Sequence, residues 1–341
     1  MSTAHVQDAR RRSTRRDRII RAFPRVEGQQ GLATRDQLIA AGWTKSAIRH
    51  LASTVGQSPY TGVYSWHRGP LTDAQLLTGA VLWAGPDAVL TGARALALIG
   101  LELPSAPRAI RLLVPHNKRR RACADAVTLR TTRPPRRRTA HGFVVAATER
   151  ALVDAGRARE FDGATLRALT ISALQRRLTT VARLTTELAN APRNGTAWIR
   201  RGLADFRTGY WSVAEAVLGT ILGDERQKLR ALFNHSLSTP DGRFIGVPDA
   251  YLPDHGIVIL VHSMRYHDGL DAAGKDRWEA TVEADGGYTE HGLTTIGVAP
   301  TALRDHPDRF LRRLDAVVAL HPDPPSRPIV VTAPDTGRVV A

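Results

Sequence analysis

Two sets of side chains in this sequence can do chemistry on a phosphate. The first is arginine. Lys118-Arg119-Arg120-Arg121 and Arg136-Arg137-Arg138 both fall in the window 106–138, which holds ten arginines and one lysine against Asp125 alone. Residues 1–25 hold eight more, Arg11, Arg12, Arg15 and Arg16 among them, against Asp8 and Asp17. These two segments, at +10 and +6, account for the whole formal charge of +16. Guanidinium groups at that density pair with phosphate oxygens and release the counterions condensed on nucleic acid. The second set can hold a metal: Asp249, His262 and His267. A carboxylate suits a hard cation such as Mg²⁺, whereas imidazole is a softer ligand that favours zinc, copper or iron. Arg265 nearby cannot act as a base, because a guanidinium stays protonated up to pH ~12.

Other chemistry is excluded. Cys123 is the sole cysteine, so the chain makes no internal disulfide and no thiolate zinc cluster, as in a reducing cytosol. No glycine-rich phosphate loop, G-x-S-x-G elbow or zinc-spaced Cys/His set is present. Near the N-terminus only Ile19-Ile20 stands where a signal peptide needs an apolar run of about 7 to 15 residues. The most apolar stretch, 74–103, is broken by Pro86, Asp87 and Arg94, which excludes a membrane span of ~20 apolar residues. A cytoplasmic, nucleoid-associated protein with no membrane partner is the expectation.

A length of 341 residues suits two or three domains, and 43% hydrophobic residues suffice for packed cores. Residues 1–29 read as a basic arm. Thr34 is a good N-cap for a short helix that ends at Gly42, and Thr44 caps a second one over 45–51. Ala47, Ile48 and Leu51 form its inward stripe, leaving Lys45, Ser46, Arg49 and His50 outward. Residues 57–66, with Val63, Tyr64 and Trp66 around Pro59 and Gly62, read as a small hairpin. Helix, turn, helix and wing over 30–70 is the plan of a winged helix-turn-helix, whose second helix enters the major groove. Thr44, Lys45, Ser46, Arg49 and His50 are thus the expected readers of double-stranded DNA, with Lys118, Arg119, Arg120, Arg121, Arg136, Arg137 and Arg138 on the backbone. Residues 71–157 follow as an α+β unit, with helices over 73–83 and 92–99 and strands over 109–114, 127–131 and 143–146. Residues 158–209 form a helical linker, broken at 190–195.

The segments "GLATRDQLIAAGWTKSAIRHL", "TGVYSW", "GPLTDAQLLTGAVLWAGPDAVLTGARALALIGL", "RLLVPH" and "ATERALVDAGR" closely resemble the N-terminal region of AbiEi-type antitoxin-like regulators of actinobacterial type. The resemblance covers about residues 30–157. It implies a winged helix-turn-helix used for DNA binding and transcriptional repression, and, as a partner, a cognate toxin protein.

From Trp211 the pattern changes. Ser212 caps a helix with Glu215 at the capping-box position, and 231–237, 244–252 and 256–263 read as a three-strand meander joined by tight turns. Ile257-Val258-Ile259-Leu260-Val261 is apolar on both faces, so it belongs in the middle of a covered sheet. A helix over 275–284, a strand over 293–298 and a helix over 307–320 complete this unit of 210–320. The proline-rich tail, 321–341, reads as disordered.

The segments "SVAEAVL", "DGRFIGVPDAYLPDHGIVILVHSMRYH", "DRWEATVEADGGYTEHGLTTIGVAP" and "PDRFLRRL" resemble very-short-patch-repair-type endonucleases of the PD-(D/E)XK superfamily. That resemblance implies a restriction-endonuclease-like α/β/α sheet domain in which a helix glutamate, here Glu215, and a strand aspartate, here Asp249, hold a divalent metal. The third strand departs from the pattern: Leu260 and His262 stand where two acids are implied. The implied outcome is an α+β protein that binds double-stranded DNA as a regulator, with a vestigial nuclease site at Glu215, Asp249 and His262 and no cofactor. The alternative is a metal-dependent endonuclease using Mg²⁺ or Mn²⁺ at those three residues. A homodimer is a further partner compatible with an operator-binding protein.

Overall fold

The computed structural model describes residues 22–118, 122–225, 229–262 and 286–334. The chain divides into two compact units, Met1–Ala155 and Gly156–Ala341. Its helices and small sheets make it a mixed α+β protein. No helix among the described residues is long and apolar enough to cross a membrane.

The first unit opens with strand β1 (Leu32–Thr34), helices α1 (Arg35–Ala40) and α2 (Lys45–Ser53), and the hairpin β2 (Gln57–Tyr60) and β3 (Val63–Ser65). Thr34 and Gln37 form a reciprocal capping box at α1, and the Thr44 hydroxyl accepts the Ala47 amide at α2, satisfying amides that the first turn leaves orphaned. Strands β1, β3 and β2 pair antiparallel in that order. Ala33, Leu38, Ile48, Leu51 and Tyr64 make the core beneath them, with Phe23 and Trp43 packed on it. Helix α3 (Asp73–Ala84) lies close to the hairpin. A Cβ added at Gly79 would sit 2.9 Å from the Tyr60 ring, so only glycine admits that approach.

A five-stranded sheet follows, ordered β6 (Ala126–Thr131), β5 (Ile110–Pro115), β4 (Val89–Thr91), β8 (Phe143–Ala146) and β7 (Arg137–Ala140), with helices α4 (Gly92–Leu98) and α5 (Thr148–Arg157). Two of these strands were not expected. Strand β4 is only three residues long and sits between two helices, too short to leave a period in the sequence. Strand β7 is built from the arginine run itself, with Arg138 paired to Val145. Its place at the sheet edge lets the charged side chains stay in water.

The second unit begins with helices α6 (Gly163–Gln175), α7 (Val181–Ala189) and α8 (Ala197–Thr208), which occupy the stretch expected to be helical and break where it was expected to break. Helix α9 (Val213–Glu225) then leads into two sheets. The larger is ordered β14 (Thr294–Val298), β13 (Ile257–Val261), β12 (Ala250–Leu252), β9 (Leu232–Phe233), with β13 and β14 parallel. Strand β13 is covered on both faces. Ile257 and Ile259 meet Leu218 of α9, Leu303 of α10 (Pro300–Asp305), and Phe310 and Leu314 of α11 (Pro307–Leu320). Val258 and Leu260 meet Leu237, Tyr251, Tyr288 and Leu293, with Ile245 and Val331 packed alongside.

Leu237, Ile245 and Val331 belong to the smaller sheet, ordered β11 (Phe244–Gly246), β10 (Ser236–Ser238) and β15 (Val330–Thr332). The expected three-strand meander is therefore cut: its first two segments each split between the two sheets. Asn234, at φ 55°, turns the chain between β9 and β10, and Pro248 interrupts the ladder between β11 and β12. The tail also departs from expectation, since β15 pairs with the open edge of β10, Leu237 opposite Val331. The helix expected over 275–284, together with Arg265 and His267, lies outside the described residues.

Candidate functional site

Helix α2 buries Ile48 and Leu51 and exposes Lys45, Ser46, Arg49 and His50, so one face carries all four expected readers. Thr44 is different: its hydroxyl is engaged as the helix cap. Two tryptophans flank this helix. Phe23, Trp43 and Trp66 pack with ring centroids 6.1 to 6.4 Å apart, and the Trp43 Nε1 donates to the Ala22 carbonyl at 3.5 Å. Of these rings the sequence picks out Trp66 alone, as part of the hairpin, because isolated aromatics such as Phe23 and Trp43 carry no periodic signal.

The basic window splits. Lys118 is exposed, while Arg119, Arg120 and Arg121 lie outside the described residues, as do Arg11, Arg12, Arg15 and Arg16. The turn that follows is docked on the β2–β3 hairpin: the Thr61 amide donates to the Cys123 Sγ at 3.3 Å. Tyr60 beside it is buried near Asp125, and its hydroxyl pKa is pushed up to about 12. Arg136, Arg137 and Arg138 are exposed, yet two of them also serve the fold. Arg136 pairs with Glu149 at 3.2 Å, and Arg138 donates to the Thr148 hydroxyl at 3.3 Å. Only part of the window's charge is thus uncommitted to the protein itself.

The first unit also holds a buried polar group. The Asp154 carboxylate, 2% exposed, accepts from the Thr91 hydroxyl at 2.7 Å and from the Arg150 Nε at 3.0 and 2.9 Å. Thr91 ends β4, while Arg150 and Asp154 are one turn apart on α5. The group therefore ties helix to sheet.

In the second unit Glu215 and Asp249 come together. Glu215, 4% exposed at the start of α9, accepts from the Trp211 amide at 2.7 Å and from the Asn234 Nδ2 at 2.5 Å. Asn234 is buried too, and also donates to the Gly209 carbonyl at 2.7 Å. Part-buried Asp249 accepts the Val261 amide at 2.6 Å. Burial pushes the Glu215 carboxyl up, and burial together with the Glu215 charge pushes Asp249 up to about 7. Both acids therefore favour the protonated form more than free carboxyls do.

His262 follows β13, with its amide on the Val298 carbonyl at 2.9 Å and its ring against Gly297. Among the described residues no three His, Cys, Asp or Glu side chains gather closely enough to hold a metal ion. Among the described residues Glu215 and Asp249 each accept internal N–H groups, and His262 does not close a ligand set with them.

No protein-family model matches the chain, and no curated protein matches it. Among solved structures, the crystal structure of the Rv2827c protein from Mycobacterium tuberculosis is similar at 19% sequence identity and a TM-score of 0.37, over 51% of this chain and 71% of that one. At that level the likeness carries no functional argument.

Proposed function

We propose that the chain is a double-stranded DNA-binding protein that acts as a transcriptional regulator of the repressor or antitoxin-like kind. In this reading 30–70 is a winged helix-turn-helix, with α2 as the major-groove reader and the β2–β3 hairpin as the wing. The observation that carries it is the outer face of α2, where Lys45, Ser46, Arg49 and His50 stand exposed opposite Ile48 and Leu51. Two arginine-rich segments supply phosphate contacts. With about 6 to 10 such contacts, affinity for a duplex falls ~10³-fold or more between 50 and 200 mM salt. An anisotropy titration checks this, and a binding constant indifferent to salt rules the reading out.

In the same reading residues 210–320 are a restriction-endonuclease-like domain that no longer cleaves. The support is the commitment of both acids to the protein's own N–H groups, Val261 on Asp249 and Trp211 and Asn234 on Glu215. Plasmid incubated with Mg²⁺ or Mn²⁺ stays intact under this reading. Nicking that Asp249→Ala abolishes would replace it with the endonuclease alternative.

A further inference from the structure

Strand β7 leaves one row of its backbone groups unused. The Ala147 amide donates to the Arg136 carbonyl at 2.8 Å, so residues 136 and 147 form a hydrogen-bonded pair of the ladder. The pattern then alternates along the register: Arg138 bonds across to Val145 and Ala140 to Phe143, whereas Arg137 opposite Ala146 and Thr139 opposite Val144 are the pairs that do not bond. The tight turn at His141 and Gly142, φ 48° and 81°, holds the hairpin in that register. The N–H and C=O groups of Arg137 and Thr139 therefore point away from β8, and β7 is the last strand of its sheet. Both residues are exposed, and neither has a hydrogen-bond partner on that side among the described residues. Val144, across from Thr139 on the same face of the sheet, is 43% exposed.

The groups along this edge decide what fits it. A phosphate only accepts hydrogen bonds, so it would set its charge against the outward carbonyls, whereas an extended peptide offers an N–H to each C=O and a C=O to each N–H. A second copy of β7 is disfavoured, because antiparallel pairing of the two edges sets the arginines of one chain against those of the other. The Arg137 guanidinium pairs with no carboxylate among the described residues, which leaves it to meet one from outside. We infer that the open edge of β7 takes up an extended, acidic segment of a partner protein as an added strand. Arg137 and Thr139 supply its main-chain hydrogen bonds, the Arg137 guanidinium pairs with a carboxylate of the segment, and Val144 receives one of its apolar side chains. Strand addition draws affinity from the main chain and selectivity from alternate side chains. This surface does not depend on the DNA-binding reading, since α2 can fail to hold a duplex and the edge still accept a strand.

The probe is a capped seven-residue peptide that alternates glutamate with valine or threonine, titrated into the full chain by fluorescence anisotropy, with amide hydrogen exchange followed by NMR. Saturation slows exchange at the Arg137 and Thr139 amides and leaves Arg138 and Ala140, already bonded to β8, as they were. Two further peptides carry N-methyl groups on every second amide, one in each phase. One of them loses about tenfold in affinity and the other does not, because alternate amides of an added strand face opposite ways. Replacing the peptide's glutamates by lysine, or Arg137→Glu in the protein, each weakens binding about tenfold, and combining the two changes restores part of it. Equal effects of the two methylated phases, or binding that leaves the Arg137 and Thr139 amides unprotected, mean charge attraction alone and overturn the inference. Absence of binding overturns it as well, and so does a DNA duplex that protects those two amides where the peptide does not.

Discussion

Asp154→Ala destabilises the first unit by about 3 to 5 kcal/mol, seen as a lower urea midpoint for that unit's transition. The figure is that for breaking a buried, hydrogen-bonded ion pair by removing one partner. Arg150, itself buried, loses the carboxylate at its Nε, and the Thr91 hydroxyl loses the acceptor that ties β4 to α5. The cost is large because neither donor can turn to water without opening the helix–sheet contact. Asp154→Asn retains an acceptor for Thr91 but not the charge, so it falls between the two. A loss under 1 kcal/mol for alanine would show that the network is decoration on a core held by Leu90, Leu112 and Leu152 alone.

The second large effect concerns pH. Asp249 holds its proton to about pH 7 in the folded chain, against an ordinary carboxyl value of 3.8. Between those values the folded state binds a proton that the unfolded chain has released, so stability declines as pH rises through the window and levels off above it. The whole decline attributable to Asp249 is on the order of 4 kcal/mol, at ~1.36 kcal/mol per pK unit across the window from 3.8 to about 7. Glu215, also shifted upward, adds a contribution of the same sign. Asp249→Asn keeps an acceptor for the Val261 amide without a charge to bury. Denaturant titrations of the variant at pH 4.5 and 8 therefore show a shallower fall than those of the unaltered protein, and a higher stability at pH 8. Parallel profiles for the two proteins would contradict this account of the carboxylate pair.

Much of this was legible from local rules. The caps at Thr34 and Thr44, the inward stripe of α2 and the doubly buried β13 each follow from residue type and spacing, and the structure has all of them. The site was legible as residues rather than as an arrangement. Glu215 and Asp249 are near enough for the charge of one to act on the other, but Asn234, which bridges α9 to the β9–β10 turn, gave no signal, because a lone asparagine looks like any turn residue. Strand β7 was hidden for the opposite reason: an arginine run speaks so strongly of phosphate that its other use, as a sheet edge bonded to Glu149 and Thr148, goes unheard. Long-range pairings such as β10 with β15 depend on which open edge meets which strand. That is a property of the whole unit, and no window of sequence contains it.

The pairing of β10 with β15 also sets an order in time. Every strand of the five-stranded sheet lies before residue 147, whereas the small sheet of the second unit needs Val331 beside Leu237. At a synthesis rate of ~5 to 20 residues per second, roughly ten to thirty-five seconds separate the two completions on the ribosome. For that interval the nascent chain carries the first unit's elements complete and a second unit lacking one strand, so Leu237 and Ile245 wait with one edge unmade. The first unit's strands are thus all made while the second is still exposed to chaperones and proteases.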